Sequence, residues 1–501
     1  MTHIPERLHV GRRALAIEDV ETTARFGAQV ELDDGARARI RKGRIGLEEQ
    51  LARGASVYGV NTGVGGNIKF ALTEEQAEQL QHNLMRHLSC ATGRPLPPDI
   101  VRAATLLRIV TFATGASAVR VELVEALIEL LNRGITPVVP RYGSVGASGD
   151  LMPSAYIARA LVGMGGVEYQ GRPMAALEAL KLAGLEPFQF APKEGLALIN
   201  GTTVMTAVAT LVWVDVRRVL RSLLAAVALS IEALEAGTEP FDAWVQEAKG
   251  HPGQIAVAEY IREHLAGSKS AGDSARQSCY SLRCPPQGLG PAWEALEEAR
   301  PLLEREINSA NDNPLVDPET GKLFRAGNFY GGHIARLLDT WKIDFAIMAN
   351  WGNALMAVLV DDRFNNGLPA ALVPEPGVNS GFKGMQLSVT SLACAVRQMA
   401  GPSSIHSLPT EGYNQDVVSL GMHAAVTAMD ALECLRNETA MVLLAAAQAV
   451  DLRGAAENLG SRNRRVHTAI RQISDFLSRD RALEQDVADT AALIAAGKLE
   501  L

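Results

Sequence analysis

The chain has 501 residues, with 48 Lys and Arg against 56 Asp and Glu, a formal net charge of −8. Its 47 % hydrophobic and 21 % charged residues are the mix of an ordinary folded protein, which excludes a disordered chain, a collagen-like repeat and a disulfide-dense miniprotein. Mild acidity without a Lys/Arg run argues against nucleic acid as a partner, and 5 % aromatic residues disfavour a large β-sandwich or barrel.

At ~150 residues per domain, the length predicts two to four domains and a large core. The opening MTHIPERLHVGRRAL lacks the apolar core of a signal peptide. No stretch reaches the ~18 uncharged apolar residues of a membrane span. The five cysteines, Cys90, Cys279, Cys284, Cys394 and Cys434, form no C-x-x-C pair. Together these features predict a reducing, cytoplasmic setting with no membrane partner. Residues up to about 55 read as short mixed elements, with an amphipathic helix ending at Gly54. Over 74–91, Leu80, Leu84, Leu88 and Ala91 fall on one helical face, and 99–133 carries two further helices. The run TPVVPRYGSVGASGDLMP is loop by composition and too long for a mere connector.

After Asn200 long helical patterns dominate, over about 203–236, 291–309, 332–360, 385–400, 419–451 and 463–478. Gly and Pro cluster between them. Segments 310–330 and 361–384 each read as a loop or small hairpin. The expected architecture is mostly α, with an N-terminal domain over 1–200 and a long-helix bundle over 201–501.

The segment Gly143-Ser-Val-Gly-Ala-Ser-Gly-Asp150 is not a P-loop, a dinucleotide fingerprint or a nucleophile elbow. On composition alone it reads as a plain turn. A second reading is specific to Ala147-Ser148-Gly149. The amide of Gly149 can be forced onto the Ala147 carbonyl to close a five-membered ring. Loss of two waters, one from Ser148, then leaves the electrophile 4-methylidene-imidazol-5-one (MIO). Only small residues permit that compression.

Six segments in order make the choice. They are Tyr58-Gly-Val-Asn-Thr-Gly-Val-Gly65, Gly143 to Pro153, Glu194-Gly-Leu-Ala-Leu-Ile-Asn200-Gly-Thr, Gln277-Ser-Cys-Tyr280-Ser-Leu-Arg283-Cys-Pro-Pro-Gln287, Asn308-Ser-Ala-Asn-Asp-Asn-Pro314 and Tyr413-Asn-Gln415-Asp-Val-Val-Ser419. The sequence resembles the MIO-dependent aromatic amino acid ammonia-lyases, which act on histidine, phenylalanine or tyrosine, and most closely their bacterial tyrosine-acting members. The resemblance implies the fumarase/histidase-like helical fold and MIO formed from Ala147, Ser148 and Gly149. It also implies a homotetramer with active sites shared between subunits. With no plant-type extension after residue 501, the bacterial form is expected.

The resemblance assigns Tyr58 as the base that removes the β-proton. A free tyrosine has a pKa of ~10, so neighbouring groups are expected to depress it. Arg283 would clamp the substrate carboxylate, its planar fork suiting bidentate pairing. Asn200, Gln277 and Tyr280 match positions that line the pocket and hydrogen-bond the MIO or substrate, with Tyr280 among the catalytic residues, and Phe329 matches a substrate-binding position. Asn414 and Gln415 match the closing Asn-Gln pair of phenylalanine and tyrosine lyases, where histidine lyases usually carry Gln-Glu. Glu411, one helical turn earlier, would face the amine. His87 and Leu88 match the pair that faces the substrate ring, a His-Leu pair in tyrosine-selective members. An imidazole can hydrogen-bond a phenol, and losing one buried hydrogen bond costs ~1–3 kcal/mol. Leu151 would pack on the ring. Val64, where many members have Phe, would widen the ring pocket. The small-molecule substrate is thus an aromatic amino acid, with L-tyrosine to trans-4-coumarate the expected reaction and L-phenylalanine and ring-substituted analogues as further candidate substrates.

His82 and His87 lack the i, i+4 spacing of a zinc helix, and no metal is expected. A tyrosine 2,3-aminomutase and a histidine ammonia-lyase are the nearest alternatives. The fumarase/aspartase signature is missing its Lys and Asn after Met152-Pro153. An inactive helical oligomer would leave the peptide over 141–159 at its unmodified mass.

Overall fold

The computed structural model describes residues 7–272 and 277–500. Among them the chain forms eighteen α-helices and nine short strands, so the fold is mostly α, as its sequence leads one to expect. The long helices run Thr203–Ala233, Pro285–Ile307, Gly332–Val360, Lys383–Met399, Gly421–Arg453 and Ser461–Arg471. The last was expected to reach 478. It stops at Arg471 because Gln448 Oε1 takes the Leu477 N–H at 3.0 Å and an Arg471 Nη2 donor at 3.3 Å, turning the chain back. Helix Pro285–Ile307 begins ahead of the expected 291, since a first-turn proline needs no N–H partner.

Contact density divides the chain into two compact units. The first joins the residues up to Leu211 with Arg300–Leu338 and Pro402–Val426. The second joins Val212–Ala299, Asp339–Gly401 and the residues from Thr427 onward. A single cut after residue 200 therefore does not separate them. The composition shift marks where long helices begin, whereas a compact unit is set by contacts between distant segments.

In the first unit, strand Arg7–Val10 pairs in parallel with Gln29–Leu32. A three-stranded antiparallel sheet joins Thr136–Pro137, Gly166–Tyr169 and Arg172–Ala175, and Leu315–Val316 with Leu323–Phe324 forms the small hairpin expected within 310–330. Helix Pro98–Ala113 is buried on nearly every face, consistent with apolar residues all round. Helix Asp34–Ala52 starts where Asp33 accepts from Gly35 N at 2.9 Å. Helix Glu74–His87 begins with a capping box between Thr73 and Gln76, carries Glu74 and Glu75 in its first turn, and has Arg86 and His87 in its last. It buries Ala77, Gln81, Leu84 and Met85; of the expected stripe Leu84 and Leu88 are buried while Leu80 and Ala91 are half-buried, and the helix ends before Ala91.

In the second unit, the part of Thr203–Ala233 from Val212 onward is almost wholly buried, and Trp213 Nε1 donates to Leu296 O at 2.7 Å. Helix Gly332–Val360 is long and apolar enough by composition to cross a membrane. Yet it carries Lys342, fully buried, paired to Asp339 at 2.9 Å and donating to Gly401 O at 2.8 Å.

Candidate active site

Tyr58 lies in the loop after helix Asp34–Ala52. Val57 and Val60 on either side are buried with Leu47, Ala118 and Val316, which fixes the path of the loop. Asn61 closes the turn, accepting from Val57 N at 2.7 Å and donating to Ala55 O at 2.9 Å. Gln81, fully buried, donates to Gly59 O and accepts from Leu196 N, so one amide ties the loop to two helices. The half-buried phenol of Tyr58 accepts from Gly65 N at 2.7 Å. The Glu411 carboxylate fills the space a side chain at Gly65 would need: a Cβ there would lie 2.0 Å from Glu411 Oε1.

These surroundings overturn the expected depression of the Tyr58 pKa. Burial is the largest influence and raises it. The Gly65 N–H pulls it down, and the negative Glu411 pushes it up again. The net result is a phenol above its usual value of about 10, because both burial and a nearby carboxylate disfavour a second negative charge.

Glu411, Gly412 and Tyr413 are all left-handed, with φ of +49°, +60° and +65°. This is a tight turn rather than the expected helical step to Gln415. Thr410 and Gln415 close it through backbone bonds at 2.9 and 3.4 Å. Thr410 Oγ1 holds Gln415 Oε1 at 2.9 Å, which leaves Gln415 Nε2 donating to Ser148 Oγ at 3.5 Å. Asn414 is exposed, its N–H bonded to Glu411 O.

Ala147 and Gly149 are buried, and Ser148 is half-buried between them. Ser144 Oγ donates to Gly149 O at 3.1 Å and accepts from Gly146 N at 3.2 Å, folding the loop on itself. Gly201 lies against the triplet: its N–H donates to Ser148 O at 3.1 Å, and its carbonyl accepts from Asp150 N at 2.7 Å. Gly149 has φ +75°, and a Cβ there would lie 2.0 Å from Gly201 O, so only glycine fits. Asp150, fully buried, accepts from Val204 N and Met205 N at the start of helix Thr203–Ala233. Burial lifts its carboxyl to about 7, against those two N–H groups and the charge of Arg108.

Asn200 is 3 % exposed, and its Oδ1 has no hydrogen-bond partner. His87 and Leu88 end helix Glu74–His87, which packs on Glu194–Ile199 and Leu151–Leu161. The elements carrying His87, Asn200 and Leu151 are therefore neighbours. His87 is exposed, Leu88 is buried and Leu151 is half-buried. Phe329 is half-buried in the loop beyond the small hairpin, where Asn328 Nδ2 donates to Ala310 O. Val64, also half-buried, lies beside Gly59.

Gln277, Tyr280 and Arg283 form a second cluster, within the second unit. With its amide oriented to satisfy both groups, Gln277 Oε1 accepts from Arg283 Nη1 at 2.8 Å and Nη2 at 3.1 Å. The Arg283 guanidinium lies 4.7 Å from the centre of the Tyr280 ring, and Tyr280 itself is 69 % exposed. Among the described residues no three His, Cys, Asp or Glu side chains converge as metal ligands would.

The sequence profile of the aromatic amino acid lyases matches residues 15–472. The chain belongs to this family. It is 38 % identical to the histidine ammonia-lyase of Anaeromyxobacter sp. strain K, over 99 % of this chain and 100 % of that protein. Among solved structures, the Pantoea agglomerans phenylalanine aminomutase superposes with a TM-score of 0.93 at 34 % identity, covering 98 % of each chain. The tyrosine aminomutase from Streptomyces globisporus has the same score, identity and coverages. The chain is thus a carbon–nitrogen lyase of the aromatic amino acid ammonia-lyase and aminomutase family. These relatives are named for three different amino acids and two outcomes.

Gln81 and Arg108 lie outside the six motifs of this lyase, and the motifs that contain Asp150 and Gly201 do not disclose their roles as a helix cap and as the backbone partner of Ser148 and Asp150. Arg108 had a legible signal, a long polar residue within the apolar run of helix Pro98–Ala113, whereas Gln81, one of several polar residues in the largely polar helix Glu74–His87, had none.

Proposed function

We propose that this lyase eliminates ammonia from L-tyrosine to give trans-4-coumarate, with MIO formed from Ala147, Ser148 and Gly149. The observation carrying it is the glycine contact of Gly149 on Gly201, which holds the triplet in a turn closed to any larger residue. The buried, unpartnered Oδ1 of Asn200, next in sequence to Gly201, fits a polar group still to be met there. When formed, the group supplies an electrophilic methylene that turns the amino function into a leaving group.

The chain's own residues do the rest. Tyr58 Oη takes the β-proton, with Gly65 N–H stabilising the phenolate. Gln277 holds Arg283 in place for the substrate carboxylate, and Tyr280 covers the guanidinium face. Gln415, fixed by Thr410, presents its amide at Ser148, and Asn414 closes the pocket beside it. Glu411 accepts from the substrate amine. His87 donates to the substrate phenol while Leu88, Leu151 and Phe329 contact its ring. The reading includes a cytoplasmic homotetramer with shared sites. Five free cysteines and the exposed Ile343, Ile347 and Leu387 on long helices agree with it.

The test is a competition among equal L-tyrosine, L-phenylalanine and L-histidine, with products identified by chromatography and mass, for wild type and His87→Phe. Wild type should give mainly 4-coumarate. His87→Phe should lower the tyrosine-to-phenylalanine ratio of kcat/KM by tens-fold, the size of one lost buried hydrogen bond at ~1–3 kcal/mol. Urocanate as the main product would assign histidine and reject the His87 argument. β-Tyrosine would assign the aminomutase reading, which the two solved aminomutases favour.

A further inference from the structure

We propose that Arg108 is a positioning residue for ring closure at Ala147-Ser148-Gly149, acting through the backbone of Gly201. The inference rests on the reading of the triplet given above.

Ring closure is demanding because an amide nitrogen is a poor nucleophile. The Gly149 nitrogen bonds to the Ala147 carbonyl carbon. The Ala147 oxygen then leaves as water with the amide hydrogens of Gly149 and Ser148. The Ser148 hydroxyl leaves as a second water with its Cα hydrogen. Nothing is oxidised or reduced. What the protein contributes is enforced proximity, which needs a frame that does not yield.

Gly201 is that frame. Its N–H and carbonyl grip Ser148 O and Asp150 N, the groups on either side of Gly149. Gly201 is itself boxed in: it has φ +126°, and a Cβ there would meet Asn311 Oδ1 at 2.2 Å and Arg108 Nη1 at 3.1 Å. Asn311 is held in turn by Thr111 Oγ1 and Ser309 Oγ.

Arg108 sits 3 % exposed in helix Pro98–Ala113. Nη1 donates to Ala197 O at 3.1 Å and Asn200 O at 2.8 Å, and Nη2 donates to Thr203 Oγ1 at 3.1 Å. One planar fork thus pins the chain on both sides of Gly201, at the end of helix Glu194–Ile199 and the start of Thr203–Ala233. Burying a guanidinium among carbonyls is costly, and burial does lower its pKa to about 10, with Asp312 and Asp150 opposing. It stays charged near neutrality, so all its donors remain available. A lysine, with one nitrogen, cannot reach all three acceptors. Without the fork, Gly201 is free to move off Gly149.

The experiment weighs the tryptic peptide 142–159 from soluble full-length chain, at the earliest harvest and after incubation. Wild type, Arg108→Lys and Thr203→Val are compared, with folding checked by circular dichroism. The wild-type peptide should be two waters lighter than its sequence mass. In Arg108→Lys more than half should remain at the unmodified mass. Thr203→Val removes only the Nη2 acceptor at nearly constant shape, so its closure should lag at harvest and catch up on incubation. In both variants KM, and kcat per closed chain, should match wild type, which separates positioning from catalysis. Complete closure at harvest in the folded variants overturns the role of Arg108. If Arg108→Lys yields no folded chain, complete closure in Thr203→Val overturns it alone. An unmodified wild-type peptide would instead remove the MIO reading itself.

Discussion

At Tyr58, burial and the Glu411 carboxylate both favour the neutral phenol, so the residue proposed as base is held protonated near neutrality. Only the phenolate can accept the β-proton. Activity should therefore rise with pH along an alkaline limb and fall as pH drops below the raised pKa. Glu411→Gln keeps the shape against Gly65 but removes the charge, which lowers the Tyr58 pKa. The limb of kcat/KM against pH should move to lower pH, whatever the effect on the plateau. A limb that stays put or moves up would show that the field of Glu411 does not act on Tyr58. The sequence disclosed the residue types here, since Tyr58, Ser148 and Gln415 lie in recognisable motifs. It did not disclose the sign of the shift, because that depends on Glu411 folding back over Gly65 from far along the chain.

Helices were the most legible elements, since long apolar periodicity survives any tertiary context. Their ends were less so, as at Arg471, where a distant Gln448 sets the stop. Close backbone contacts left the weakest trace. Gly43 lies inside helix Asp34–Ala52, where glycine costs ~1 kcal/mol relative to alanine. A Cβ there would lie 1.9 Å from Gly115 O, and one on Gly115 would lie 2.5 Å from Arg39 O. The two glycines let the helix rest on the turn after Pro98–Ala113. Gly43→Ala gains helix propensity but forces backbone apart, a change that costs typically ~1–3 kcal/mol in a packed site. The clash is with backbone, which has little room to give, so a lower Tm is expected in thermal unfolding. An unchanged or higher Tm would mean the helix slides away freely.

For the whole molecule, the sequence conveyed fold class and family but not the division into two interleaved units, which depends on Arg300–Leu338 and Pro402–Val426 returning to the first. Nor did it show which charges the second unit buries. Glu438, in helix Gly421–Arg453, would pass for a surface residue, yet it is fully buried. Its Oε1 lies 2.7 Å from where a Cβ of Gly352 would be. Burial raises its carboxyl to about 9, outweighing the Asn353 backbone and Arg397, which both favour the charged form. The folded pKa lies above the unfolded value of ~4.3. The folded state therefore holds a proton that the unfolded state releases, so this group's stability contribution is complete below about pH 4.3 and is lost as pH rises toward 9. Glu438→Gln puts a neutral amide of the same shape there and removes the titration. Its Tm relative to wild type should be lowest near pH 5 and should climb steadily to pH 9, since only wild type must keep a carboxyl protonated in alkali. A difference that stays flat across that range, or falls, would show that Glu438 is ionised inside the folded unit and that its neighbours supply the compensating charge.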